Sequence, residues 1–300
     1  MKIIIAAGTG FLGKNLEQYF TDKGHQVYIL TRNPKRRNEF HWDARTLGEW
    51  KNLLENADVL INLAGKSVDC RYTPKNKQEI YDSRIKSTNI LQQAVDQCKS
   101  KPKVWLNAGS ATIYIHSETQ LNTEENGIIG DDFSMNICKS WEQEFFSTNT
   151  GNVRKVALRT SIVLGKNGGA FPKMKMLTKF GLGGKQGLGN QKVSWIHIED
   201  FCRAVEYSIN DESISGAINI TAPNPLSNEA FMKKLRQEMK IPVGLNAAVW
   251  QLEIASVFLR TETELLLKSR NVYPEKLVKS GFRFIYPTIE RAFKDLIHKN

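Results

Sequence analysis

Ala6-Ala7-Gly8-Thr9-Gly10-Phe11-Leu12-Gly13 closes a run of apolar β-formers, Lys2–Ala6, and opens a helical stretch, Phe11–Lys23. A Gly-x-Gly-x-x-Gly element carries little information alone. At the first strand–helix junction of an alternating chain it marks a turn whose backbone approaches a pyrophosphate, with the phosphate charge on the helix N-terminus. Gly8, Thr9, Gly10, Phe11, Leu12 and Gly13 are therefore the expected dinucleotide contacts, and Gly13 lets the helix pack closely on the strand. The alternative is a purely structural glycine turn.

The second strand, Gln26–Leu30, runs into Thr31 and Arg32. A chain that prefers NAD usually carries Asp or Glu here to accept from the ribose 2′-hydroxyl. A guanidinium instead suits a 2′-phosphate, which it can bind bidentately. Lys35-Arg36-Arg37 follows and adds positive charge. NADP(H) is thus the expected cofactor in preference to NAD; a solvated basic loop is the alternative.

Further along, strand-like runs at Phe40–Trp42, Val59–Leu63, Lys103–Asn107 and Lys155–Arg159 alternate with helical stretches at Leu47–Glu55, Pro74–Cys98 and Phe133–Asn149. That alternation predicts an α/β fold, a Rossmann doubly wound parallel sheet. The glycine-rich stretch Asn167–Asn190 reads as irregular, with Gly181–Gly189 able to flex as a lid. Val193–His197 and Ala217–Ile220 read as late strands around a helix, Glu199–Ile209. Beyond Thr221 the pattern turns helical: Ser227 is a plausible N-cap for a helix to Met239. Val249, Leu252, Ile254 and Val257 then recur at helical spacing, and Pro274 and Pro287 punctuate two short helices. The expected organisation is a cofactor domain over residues 1–165, rejoined by 193–220, and a small, mainly helical C-terminal lobe from 166–192 and 221–300.

Composition narrows the class. The 300 residues are 41% hydrophobic and 24% charged, ordinary for a globular chain able to bury its own core. Net charge is +11, but the basic residues are scattered and no nucleic-acid-binding signature accompanies them, so a nucleic-acid partner is not expected. Cys70, Cys98, Cys138 and Cys202 form no paired motif, which argues against a zinc site or disulfide framework and suits a reducing cytoplasm. No signal peptide and no apolar run of membrane-spanning length is seen, so the expectation is a cytoplasmic chain without a membrane partner.

The sequence resembles the extended branch of the short-chain dehydrogenase/reductase superfamily, more narrowly its atypical nucleoside-diphosphate-sugar epimerase-like subgroup. The marks are AGTGFLG, Asn62-Leu63-Ala64-Gly65, YTPKNKQEIYDSR (Tyr72–Arg84), SATIY (Ser110–Tyr114), LRTSIVLG (Leu158–Gly165), SWIHIEDFCRA (Ser194–Ala204), NITAPNP (Asn219–Pro225) and SGFRFIYPT (Ser280–Thr288). The resemblance implies that Asn62, Leu63, Ala64 and Gly65 close the fourth strand beside the cofactor, and that Asp43 meets the adenine. It implies an NADP-dependent oxidoreductase or epimerase-like enzyme acting on a carbonyl or sugar-like small molecule. It further implies a homodimer formed through Pro74–Cys98 and Phe133–Asn149.

Two departures matter. The first glycine of the superfamily's spacing falls on Ala7, tolerable where φ stays negative. The superfamily's catalytic set is a Ser or Thr with Tyr-x-x-x-Lys; Ser110 and Lys139 match, but the tyrosine position is Met135. Methionine has no ionisable proton. Ser110 could still hydrogen-bond a carbonyl and Lys139 anchor the ribose, while Tyr114, four residues beyond Ser110, is a candidate for the missing phenol. Cys138 and Asp131-Asp132 are further substitutes, each, like Tyr114, with a structural alternative: a packed aromatic, a small buried residue or N-terminal caps. On this spacing Met135→Tyr would restore a phenol within reach of Lys139. Candidate pocket residues are Ser67, Arg71, Lys77, Trp195 and Gly168-Gly169; His197 reads as a satisfied structural histidine. A second function stays open, a non-catalytic NADP(H)-binding sensor or regulator, since some subgroup members carry a cell-division-inhibitor label.

Overall fold

The computed structural model describes residues 1–147, 150–259 and 262–298. In chain order these form β1 (Lys2–Ala6), α1 (Phe11–Asp22), β2 (Gln26–Thr31), β3 (Glu39–His41), β4 (Val59–Asn62), α2 (Pro74–Asp96), β5 (Val104–Ser110) and α3 (Phe133–Ser147). Next come β6 (Arg154–Thr160), β7 (Ile162–Gly165), β8 (Gly168–Gly169), α4 (Phe171–Lys179), β9 (Lys192–Val193), β10 (Trp195–His197) and α5 (Ile198–Asn210). The remainder is β11 (Gly216–Ile220), β12 (Leu226–Ser227), α6 (Asn228–Glu238), α7 (Val249–Leu259), α8 (Glu264–Leu267), α9 (Glu275–Lys279) and α10 (Ile289–His298).

Seven strands make one parallel sheet in the order β11-β6-β5-β4-β1-β2-β3. A parallel sheet is covered on both faces, so its strands are apolar throughout. Ile3 and Ile5 join Leu16 and Phe20 of α1 and Phe201 and Val205 of α5 on one face. Ile4 and Ala6 join Ile90 and Leu91 of α2 and Phe145 of α3 on the other. The order reverses direction at β1, which pairs with β2 on one side and β4 on the other. Ligands of open α/β sheets bind at the carboxyl ends of strands at such a switch point.

Helix starts follow the capping residues. Thr73 accepts from Asn76 N ahead of Pro74, and Ser227 accepts from Ala230 N at the start of α6. A third core gathers Phe171, Trp195, Phe231, Ile289 and Phe293 around β10, α6 and α10.

Two expectations change. The helix expected over Leu47–Glu55 is a short 3-10 turn, Glu49–Leu54, because only Trp50 and Leu54 are buried there and Asn56 leaves in the left-handed region. Within Asn167–Asn190, β8 and α4 are regular; the glycines flank the helix rather than interrupt it. The rest of that stretch is tied to the C-terminal part by Leu245 N to Gly181 O at 2.7 Å, Gly187 N to Ala247 O at 2.8 Å and Ala247 N to Lys185 O at 2.9 Å. The stretch after residue 221 is mainly helical, as expected, and Leu277 and Phe282 of it pack into the cofactor-sheet core. Asn149 and the side chain of Val257 lie outside the described residues.

Candidate functional site

The glycine turn is held by close backbone approach. A Cβ on Gly13 would lie 2.2 Å from Gly8 O, and one on Gly8 would lie 2.7 Å from Ile29 Cδ1. A Cβ on Gly10 would meet nothing within 4 Å, so that side of the turn is open. Gly10 begins α1 with no side-chain cap, and the first bond into the helix is Lys14 N to Gly10 O at 2.9 Å. The amides of Phe11, Leu12 and Gly13 therefore precede the helix ladder and are available to an anion. Ala7 has φ of +56°, the left-handed region, contrary to the negative φ expected for it. The strand must turn sharply there while Ala7 N still donates to Leu30 O at 2.8 Å, and that fixes the conformation.

A cleft of about 630 Å³ opens at the carboxyl ends of β1, β2 and β4. It brings together the expected contacts Thr9, Thr31, Arg32, Asp43, Ala64 and Gly65. Its size and its lining, which includes Ala7 and Thr9 of the glycine turn and the basic Arg32 and Arg45, fit a dinucleotide. Asn62 is displaced from that role. Fully buried, it donates to Asn107 Oδ1 at 2.7 Å and accepts from Ala64 N at 3.0 Å, shaping the loop after β4. Asp43 lines the cleft but is occupied by Arg45 N, Thr46 N and the Thr46 hydroxyl at 2.8–2.9 Å. Burial alone would raise its pKa, but the Thr46 and Arg45 amides and the Thr46 hydroxyl hold it below the usual carboxylate range.

The cations around the cleft divide by their partners. Lys66 pairs with Glu79, and Lys86 with Asp82 at 2.7 Å. Arg36 is bound by Glu17 and Glu39, each at 2.8 Å, which removes it from the basic cluster read after Arg32. Among the described residues, the Arg32 and Arg45 side chains donate no hydrogen bond and form no ion pair. Sequence reading missed Arg45: it lies beyond β3, and only the fold returns it to the cleft of Arg32.

On the other side of the glycine turn, Cβ atoms on Gly165 and Gly168 would strike the Phe11 ring at 2.5 and 2.4 Å, and one on Gly169 would approach it at 3.1 Å. Gly168-Gly169, expected in a substrate pocket, thus forms part of the seat of the cofactor turn. Ser110 ends β5 half-buried, its hydroxyl accepting from Thr112 N at 3.2 Å. Lys139 is half-buried on α3 and, among the described residues, makes no hydrogen bond or ion pair.

The expected substitutes for the missing phenol are structural. The Tyr114 hydroxyl is fully buried, donates to Asn219 Oδ1 at 2.9 Å and accepts from Arg159 Nη1 at 2.7 Å. Burial raises its pKa against the lowering effect of Arg159, itself bidentate to Glu142. Burial pushes the Cys138 thiol up to about 12, so it is not a thiolate near neutrality. Asp132 accepts from Met135 N at 2.9 Å and caps α3. Met135 is buried, with its Sδ only 2.1 Å from where a Cβ on Gly130 would stand, so no space is kept there for a ring.

His197 and Trp195 are core. His197 Nδ1 accepts from Glu199 N at 3.1 Å, and Nε2 stands 3.2 Å from Asp295 Oδ2, off the line a hydrogen bond needs. Ser67 lines the cleft; Arg71 pairs with Glu262 and Lys77 lies over the Phe133 ring. Among the described residues no group of His, Cys, Asp and Glu could hold a metal ion, and no helix is long and apolar enough to cross a membrane.

Known proteins align with this arrangement. Residues 250–296 match a domain of unknown function, DUF1731. Epimerase family protein YfhF of Bacillus subtilis is 36% identical, over 99% of this chain and 98% of its own. The crystal structure of human epimerase family protein SDR39U1 (isoform 2) with NADPH superposes with a TM-score of 0.90 at 26% identity, covering 100% of both chains. That of a nucleoside-diphosphate sugar epimerase from Corynebacterium glutamicum gives 0.80 at 28% identity, over 98% of this chain and 57% of the other. Residues 3–221, which carry the glycine turn, the cleft and the sheet, match the NAD dependent epimerase/dehydratase family, and the chain belongs to it.

Proposed function

We propose that the chain binds NADP(H) in the switch-point cleft and is an epimerase-like oxidoreductase acting on a small carbonyl or sugar-like compound. The observation that carries this reading is Arg32: an unpaired guanidinium on the cleft wall where a carboxylate would exclude a 2′-phosphate. NADPH in the human relative's structure supports the same choice. The Phe11–Gly13 amides would hold the pyrophosphate, Arg32 and Arg45 the 2′-phosphate, and Lys139 the nicotinamide ribose. Ser110 would orient the substrate oxygen. When bound, the cofactor supplies or accepts the hydride.

A second reading, a non-catalytic NADP(H)-binding sensor or regulator such as a cell-division-related protein, is favoured by one specific observation. Met135, Tyr114 and Cys138 offer no mobile proton near neutral pH. Fluorescence titration with NADPH and NADH tests the cofactor, and a screen of carbonyl and sugar-like compounds with the loaded protein tests the chemistry. Turnover with any of them removes the sensor reading; NADPH binding without turnover across the screen favours it.

A further inference from the structure

We infer that the exposed apolar face shared by the end of α4, the loop after it and α7 is a docking surface for an anionic lipid bilayer, on which the chain lies without crossing it. Ten of the eighteen large apolar side chains that stand exposed among the described residues fall between Met176 and Ile254. They belong to one surface, because hydrogen bonds tie their backbones together. Leu182 N donates to Leu177 O at 2.9 Å, Leu245 N to Gly181 O at 2.7 Å and Gly187 N to Ala247 O at 2.8 Å. Val249 continues the surface: its Cγ2 is 3.5 Å from where a Cβ on Gly187 would stand. Trp250 and Ile254 follow it on α7, one turn apart. Phe180 and Leu188 are 72% and 77% exposed, and each adjoins glycine in the left-handed region, Gly181 for the first and Gly187 and Gly189 for the second. Tight turns thus hold both side chains out from the surface.

Helix α7 is apolar on both sides: Leu252 is buried in the protein, while Val249, Trp250 and Ile254 are exposed. A helix that is apolar all round is ordinarily buried all round. Single exposed apolar residues are commonplace, but a contiguous patch marks an interaction surface. The absence of a spanning segment, which led the sequence to predict no membrane partner, excludes crossing a bilayer and not lying on one.

Charge selects the partner. No Asp or Glu occurs between Glu144 and Glu199, and the lysines of that stretch are interleaved with the patch: Lys175 and Lys179 with Met176, Leu177 and Phe180, and Lys185 with Leu182 and Leu188. Close to Val243 a recess of about 400 Å³ is lined by Lys233, Arg236, Lys240 and Pro242, and Arg236 joins it to the apolar loop by donating to Gly183 O. Among the described residues, Lys175, Lys179, Lys185, Lys233 and Lys240 form no ion pair and no side-chain hydrogen bond. Against these cations α6 and α7 set two carboxylates, Glu229 and Glu253; their third, Glu238, is held by His298 at 2.8 Å. Free cations around protruding apolar side chains match a bilayer with anionic headgroups: the apolar tips enter the acyl boundary, and lysine stems lie along it with their ammonium groups among the phosphates. A second copy is the poorer match, since a two-fold axis would set the same cations against one another.

The test is co-sedimentation of the whole chain with vesicles of phosphatidylcholine alone and of equimolar phosphatidylcholine and phosphatidylglycerol, at low and high salt. The anionic vesicles should bind at least about 10-fold more tightly, and salt should release the chain. Trp250 supplies a direct signal, because the other five tryptophans, Trp42, Trp50, Trp105, Trp141 and Trp195, are buried. Its emission should shift to the blue on binding and be quenched by lipids brominated along the acyl chain. Phe180→Ser with Leu188→Ser should weaken binding about 10-fold or more. Lys179→Gln and Lys185→Gln should each weaken it about 5-fold. A thermal melt checks the fold of each variant, and if the double serine variant melts early the lysine variants decide. No binding, equal binding to both vesicle types, or binding that survives these substitutions overturns the inference. Self-association that the double serine variant abolishes, without vesicle binding, gives the face to a second copy and overturns it too.

Discussion

Replacing Arg32 by alanine should cost NADPH affinity and leave NADH affinity unchanged. A charge-assisted hydrogen bond contributes about 1.5–3 kcal/mol, which corresponds to roughly 10- to 150-fold in affinity. The surroundings place Arg32→Ala at the lower end of that range. Arg36, next along the loop, is bound by Glu17 and Glu39 and cannot take over, but Arg45 lines the same cleft and keeps one guanidinium near a 2′-phosphate. The single substitution should therefore reduce the NADPH-to-NADH affinity ratio about 10-fold, and Arg32→Ala with Arg45→Ala should bring it close to one. Nicotinamide fluorescence titration at low ionic strength reads both affinities, because exposed charges are screened within about 10 Å at 0.1 M salt. Equal affinities for the two cofactors in the unaltered chain would refute the reasoning, as would a ratio that survives the double substitution.

Ala7→Gly should stabilise the fold by about 0.5–1 kcal/mol in urea melts: about 1–2 kcal/mol of left-handed strain is relieved and about 0.4–1 kcal/mol of unfolded-chain entropy is gained, and a loss of stability would contradict this. Burial lowers the His197 pKa below its ordinary 6.5, so the unfolded chain takes up the proton first. The stability associated with neutral His197 is present above that value and falls, by at most about 1.4 kcal/mol per pH unit, as pH drops through the folded value. His197→Asn keeps a capping side chain, so its deficit should shrink between pH 7.5 and 5.5, and a pH-independent deficit would count against the assignment. Met135→Tyr should destabilise by about 1–3 kcal/mol through overpacking beneath Gly130 and add no NADPH oxidation with small carbonyl compounds; a gain in turnover would show the pocket admits the ring.

The sheet was legible because its signals are local: apolar runs such as Ile3-Ile4-Ile5 and a glycine spacing that only a tight strand–helix turn requires. The cofactor contacts nearest that turn were legible for the same reason. What sequence could not reveal is which charges and hydroxyls are already taken. Lys35, Arg36 and Arg37 read as one basic cluster, yet Arg36 is bound by Glu17, a residue on α1 far along the chain. Tyr114 follows Ser110 closely, but the 3-10 turn Ala111–Ile113 carries it inward to Asn219 on β11 and Arg159 on β6. Arg45 shows the converse: no short-range pattern distinguishes it, and it stands out only once the fold returns it to the cleft beside Arg32.

That division bears on the proton. Groups that would hold a dinucleotide, the helix-start amides and the free Arg32, Arg45 and Lys139 cations, are unspent. Side chains that could move a proton are instead built into the packing. Tyr114 shares its hydroxyl with Arg159 and Asn219, Cys138 stays a thiol, and Met135 fills the space under Gly130. Lys139 keeps a positive charge in a site without a tyrosine, where it can still favour an oxyanion. Under the proposed function, the proton must then travel with the ligand or its bound water. A substrate hydroxyl would serve, so choice of substrate and source of the proton become one question. Simple ketones, lacking a hydroxyl, should be poor substrates even where NADPH binds tightly.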